Sequence, residues 1–240
     1  MDKTDAKFAN SSIANVDNLE KKYGWTVTGV SGNTLSMTYR KEIELVFDVT
    51  AFRPNKSSRK AKNSANSPID LWYIAADREQ NPLPKTPEKD FFLANIRDHI
   101  RGLPQAETSF KDLLHSVSSS WLKASSVIED ASFLNLSNYT EATKTSDNSI
   151  VFKSTLILRP LCTKVMISFD LQIHSSSDGF EIELEPEAKV AYGERFNEPK
   201  MKEFLISKIG ARVSEANLGK TSWGLTIASL EEKLLARGKK

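Results

Sequence analysis

The sequence predicts an α+β chain built as two similar halves, each an antiparallel meander with helices packed on one face. Three observations carry this. Apolar and polar residues alternate in two separate stretches, from Trp25 and again from Ile150. The segments within each stretch are joined by turns so short that only antiparallel neighbours can be connected. Each meander is then followed by segments whose apolar residues recur every three or four positions, the period of a helix with one buried face.

Taken in order, Ile13, Val16, Leu19 and Tyr23 predict a short leading helix within residues 1–23, capped by Ser11 or Ser12. In "GWTVTGVSGNTLSMTYRKEIELVFDV" (24–49), Trp25 and Val27, then Leu35, Met37 and Tyr39, then Ile43, Leu45, Phe47 and Val49 fall two apart. Three strands follow, turning at Ser31-Gly32-Asn33 and at Arg40-Lys41. Residues 53–67 interrupt the sheet. Arg53, Lys56, Arg59, Lys60 and Lys62 stand there among Ser and Asn without an acid, a composition expected to form a solvated, mobile insertion. Its functional alternative is a weak contact to phosphates or to an acidic partner, without the aromatic interleaving of single-strand binders. Pro68 to Ala75 supply a fourth strand. Leu71 and Tyr73 alternate there with Trp72 and Ile74, so both faces are apolar, as burial at the sheet centre or a contact between the halves would require. A helix begins at Thr86, the expected N-cap, with Pro87 in the first turn; Phe92, Ile96, Ile100 and Leu103 form its stripe, and Gly102 and Pro104 stop it. A longer helix from about Ser109 to Leu134 carries Phe110, Leu113, Val117, Trp121, Ala124 and Ile128 on one side.

The second half starts with a weak strand at 139–145. Ile150, Phe152, Ser154, Leu156 and Leu158 share one face of the next strand, and Val165, Ile167, Phe169, Leu171 and Ile173 give the cleanest alternation in the chain. Phe180, Ile182 and Leu184 make a further strand, with Glu181, Glu183 and Glu185 on its solvent side, and Pro186 is expected to end it. Asn197 caps a helix bearing Met201, Phe204, Leu205 and Ile209. The last helix, Ser222 to Arg237, aligns Trp223, Ile227, Leu230 and Leu234. The domain reading is therefore a leading helix (1–23), a first module (24–137) and a second module (138–240).

Composition narrows function by exclusion. With 33 Lys and Arg against 31 Asp and Glu, the net charge of +2 provides no global field to gather nucleic acid. Cys162, the single cysteine, cannot form an internal disulfide, and the first residues lack a secretion signal's apolar core, so an intracellular setting is expected. Apolar runs fall short of the roughly 18 to 20 residues of a membrane span. "LGKTS" at 218–222 has Ser214 where a phosphate-binding loop needs its first glycine. His99, His115 and His174 stand singly, without neighbours at metal-ligand spacing, so neither a metal nor another cofactor is expected.

The segments "GWTVTGVSGNTLSMTYRKEIELVFD", "IDLWYIA", "PLPKTPEKDFFLANIRDHIRGLPQ", "STLIL" and "VAYGERFNEPKMKEFLISKIG" resemble the C-terminal region of the fungal kinetochore scaffold of the blinkin (Knl/Spc) family, a component of the KMN network. The resemblance implies two tandem RWD modules. It also implies a non-enzymatic role: docking the scaffold onto subunits of the MIND complex at the centromere, within the nucleus, through a short disordered tail of the partner. A coiled-coil partner upstream is implied as well. The family's long N-terminal region of kinase- and phosphatase-docking motifs is not represented here, and "RVSE" at 212–215 matches a phosphatase-docking motif poorly. Two other classes share the fold: another tandem RWD subunit of the inner kinetochore, and a catalytically inactive ubiquitin-conjugating-like module. Cys162 lacks the preceding His-Pro-Asn triplet and sits in a turn, which argues against a nucleophile. For partner binding, the residues themselves suggest the strand edge at Phe180, Ile182 and Leu184 and the helix groove at Met201, Leu205 and Trp223, because small sheets with helices on one side capture peptides in those two ways.

Overall fold

A computed structural model describes residues 24–52, 68–74, 86–105, 107–176, 179–214, 218 and 222–237. The expected leading helix, the basic insertion and most of "LGKTS" lie outside these residues. Strands β1 (Trp25–Ser31), β2 (Thr34–Tyr39), β3 (Ile43–Asp48) and β4 (Ile69–Tyr73) form one antiparallel sheet in that order. Of the nine residues read as alternating, Trp25, Met37, Tyr39, Ile43, Leu45 and Phe47 are buried, while Val27, Leu35 and Val49 are half-buried; Ile69 and Leu71 of β4 are buried as well. Arg40 and Lys41 both adopt positive φ (51° and 58°), with the Glu42 N–H donating to the Tyr39 carbonyl across 2.9 Å. The tight turn thus forces two side chains into a conformation that favours glycine or asparagine. Since β4 stands at the end of the sheet, Trp72 is exposed, and burial at the sheet centre is not what its two apolar faces serve.

Helix α1 (Pro87–Gly102) buries Phe92, Ile96 and Ile100. Thr86 occupies the cap position, with the Asp90 N–H on its carbonyl at 3.1 Å, but its hydroxyl is buried without a hydrogen-bond partner among the described residues. The expected side-chain cap is therefore not made. Helix α2 (Phe110–Ser137) is capped by Ser109, whose hydroxyl accepts the Asp112 N–H (3.2 Å) and donates to the Asp112 carboxylate (2.5 Å).

The second sheet has the order β5 (Thr140–Lys144), β6 (Ser149–Leu158), β7 (Thr163–Ser176), β8 (Gly179–Tyr192) and β9 (Arg212–Val213), every pair antiparallel. Helices α3 (Glu198–Ile209) and α4 (Trp223–Arg237) follow β8 and β9. All ten residues expected on the inner faces of β6 and β7 are buried, including Ser154, whose Oγ accepts from the Thr140 hydroxyl at 3.2 Å. Pro186 does not end its strand: β8 runs through it to Tyr192, with Pro186 opposite Phe169. The Leu184 N–H points away from β7, to the Ala211 carbonyl (2.9 Å), so the proline two residues on has its missing N–H on the outer side, where no ladder bond is lost.

Contacts divide the chain into two compact units, Met1–Pro84 with Arg97–His115, and Lys85–Ile96 with Ser116–Lys240. The expected boundary at 137 and 138 separates the two sheets; most of α2, however, belongs to the unit of the second sheet. Within that unit Ser120 Oγ accepts the Phe180 N–H (3.1 Å) and Lys123 Nζ donates to the Phe180 carbonyl (3.0 Å). Gly179, at φ +130°, lets β8 approach α2: a Cβ there would stand 2.6 Å from Ser120 Oγ.

Candidate partner-docking surface

The six residues singled out for partner binding all lie in the core. Phe180, Ile182 and Leu184 point inward from β8, Met201 and Leu205 inward from α3, and Trp223 stacks on Phe169 (4.3 Å between ring centroids) and meets Phe152 edge-on (5.6 Å). Strand alternation and helical stripes marked these side chains as sharing apolar faces, and the chain itself covers those faces. Nor is the strand edge at Ile182 open, because β9 pairs with Ile182 and Glu183.

Strand addition needs a row of unpaired backbone groups, so the sheet edges decide where it can occur. Beyond β9 the outer side of β8 is closed by the Leu184–Ala211 bond, by Pro186, and by the Glu198 carboxylate, whose Oε1 accepts the Val190 N–H at 2.9 Å. At the end of the first sheet, Arg97 Nη2 donates to the Leu71 carbonyl (2.8 Å) and Arg101 Nε to the Ile69 carbonyl (3.4 Å), so two α1 arginines occupy the outward carbonyls of β4. Arg101 is braced by Asp70 at 2.6 Å. A bulge between Val27 and Gly29 kinks β1, and β5 is five residues long. The exposed face of β8 from Glu181 to Lys189 is polar: Glu181 and Glu183 meet Arg212 (3.8 and 3.1 Å), Glu185 meets Lys202 (2.5 Å) and Glu187 meets Lys189 (3.0 Å). The glutamate row is thus the solvent side expected of it.

Open clefts among the described residues include one of about 510 Å³ along the outer side of β8, rimmed by Glu183, Glu185, Lys202 and Arg212, and a more apolar one of about 400 Å³ between α3 and α4. The floor of the α3–α4 cleft is Met201, Leu230 and Leu234, all buried, with Phe204 half-buried at the side. Lys200, Lys233 and Arg237 stand around it with one acid, Glu203, and Lys233 Nζ lies 4.0 Å from the Phe204 ring centroid. Local chemistry fixes both walls. Asn197 Oδ1 accepts the Lys200 N–H (2.9 Å) to start α3. Asp130 of α2 accepts the Trp223 N–H (3.3 Å) to start α4. Burial pushes the Asp130 carboxyl up to about 6, against the lowering effect of that N–H, and Glu129 pushes it further up. The expected groove residues Met201 and Leu205 lie on α3, one wall of this cleft, whereas its polar lining was not among the residues singled out. Its signal is the i,i+4 spacing of Lys200 with Phe204 and of Lys233 with Arg237.

Elsewhere the chemistry is sparse. Burial lowers the pKa of His99, and His174 Nε2 lies 3.4 Å from Glu183. Among the described residues no three of His, Cys, Asp and Glu gather where a metal could sit, and no helix is long and apolar enough to cross a membrane. Cys162 is exposed, in a left-handed conformation after the 3-10 turn Arg159–Leu161.

Two antiparallel sheets, each an up-and-down meander accompanied by helices, define an α+β fold of the RWD type. The family model of the Knl1 RWD C-terminal domain matches residues 6–128, just over half of the chain, and the chain belongs to that family. The match takes in the first sheet, α1 and α2 as far as Ile128. No curated protein matches the sequence. Family membership makes this a scaffold-type domain of the kinetochore, the assembly that serves chromosome segregation.

Proposed function

We propose that the chain is the non-enzymatic anchor that docks its kinetochore scaffold onto the MIND complex at centromeres in the nucleus, by capturing a short disordered tail of a MIND subunit. The observation that carries this reading is the contrast between the occupied, kinked or short strand edges and the open cleft between α3 and α4. A tail entering that cleft would rest on Met201, Phe204 and Leu234, at the outer margin of the groove first suggested by Met201, Leu205 and Trp223. Binding would therefore use the half-exposed Phe204 and the surrounding cations, with the six core residues holding the walls in place.

Titration of the chain with reconstituted MIND complex, intact and lacking its disordered tails, tests the proposal. Saturable binding that disappears with one tail is the expected result. No binding to intact MIND, with copurification of centromere-receptor subunits instead, would overturn it in favour of an inner-kinetochore role.

A further inference from the structure

Resting on the docking role proposed above, we infer that the α3–α4 cleft is built for an acidic segment with an apolar anchor. The lining charges are three cations, Lys200, Lys233 and Arg237, against Glu203 alone, so the cleft carries a local excess of positive charge on a chain that is nearly neutral overall. That excess complements carboxylates and repels a basic segment, which disfavours the chain's own Arg53–Lys62 stretch as the occupant. Lys200 and Lys233 come from facing helices, so carboxylates on either side of one bound segment could each meet a cation. Between them lies the apolar surface an anchor needs: Phe204, with Leu234 and Met201 beneath it.

Lys233 has a further part. Its ammonium covers the Phe204 ring in the free protein. An incoming carboxylate can pair with Lys233 and draw it aside, freeing the ring face for an apolar or aromatic side chain. Charge pairing and anchor insertion are thereby coupled at one residue. An acidic peptide lacking the anchor gains only exposed ion pairs, which are weak and screened by salt.

Two ligands separate this inference from the MIND assignment: reconstituted MIND, and a synthetic amphipathic peptide of alternating Glu and Leu/Phe, with a version carrying Lys for Glu as control. Binding of the acidic peptide and of MIND to the full chain is measured at 50 and 300 mM salt, then repeated with Lys233→Glu/Arg237→Glu, with Phe204→Ala, and with Lys153→Glu on the exposed side of β6. The expected result is at least a tenfold loss for both ligands with the double charge reversal and with Phe204→Ala. Lys153→Glu should change little, the Lys peptide should not bind, and unaltered melting should exclude unfolding. Acidic-peptide binding without MIND binding would uphold the cleft chemistry and remove the MIND assignment. MIND binding unchanged by the double reversal would do the opposite. Equal binding of the Lys and Glu peptides would overturn the inference outright.

Discussion

Trp223 shows what a residue's position in a pattern reveals and what it leaves open. Its place on a helical stripe beside Ile227, Leu230 and Leu234 marked it as inward-facing, and it is indeed buried. Whether an inward face meets a partner or the chain's own sheet depends on which strands pack beneath it, and periodicity holds no such information. Here Phe152 and Phe169 fill that space. Trp223→Ala should therefore cost about 3–5 kcal/mol in stability, as loss of a large core aromatic does, measured by denaturant unfolding. An unchanged midpoint would mean that the ring is not core. Asp130 carries a second prediction. Its carboxyl titrates near 3.9 in an unfolded chain and about 6 in the folded one, so between these values the folded chain holds the extra proton. Its contribution makes stability rise as pH falls from 6 toward 4 and makes that gain disappear as pH rises through 6. Asp130→Asn keeps the carbonyl that accepts the Trp223 N–H and removes the charge. It should add about 1 kcal/mol at pH 7, after allowing for partial exposure, and flatten stability between pH 4 and 6. Comparison with the parent chain subtracts the opposite influence of His99, whose lowered pKa costs stability as pH falls.

At the scale of the element, strands and helices were legible wherever one face is buried, because a single period then fixes which side chains turn inward. Pro186 was the exception. A proline ends a strand only if its N–H would have been used, and in β8 the outer side has no partner strand at that point. That depends on β9, a two-residue strand too short to leave a pattern. Likewise, nothing in the spacing of Arg97 and Arg101 indicates that they reach the carbonyls of β4, since strand and helix are distant in sequence. The β2–β3 turn was placed correctly but its strain was not. Lys41→Gly should relieve a positive-φ cost of about 1 kcal/mol, raising the melting temperature by about 2–4 °C for a chain of this size. A fall in melting temperature would show that Lys41 makes a compensating contact.

On the scale of the whole molecule, two sheets were readable because the alternating pattern occurs twice, whereas the division into compact units was not. Helix α2 begins in the unit of the first sheet, and from Ser116 onward it belongs with the second, where Ser120, Lys123 and Asp130 bond to β8 and α4. A helical stripe indicates that a face is buried without naming the sheet that buries it. A fragment of residues 138–240 lacks those bonds and the apolar face of α2, so it should fail to melt cooperatively, while one starting at Lys85 should do so. Cooperative melting of 138–240 at the temperature of the full chain would instead support the boundary read from the sequence. The docking claim is tested most directly by hydrogen–deuterium exchange of the full chain with and without MIND complex. Added protection concentrated in Glu198–Ile209 and Trp223–Arg237 is the result predicted. Protection confined to the first sheet, with the walls of the α3–α4 cleft unchanged, would contradict the account.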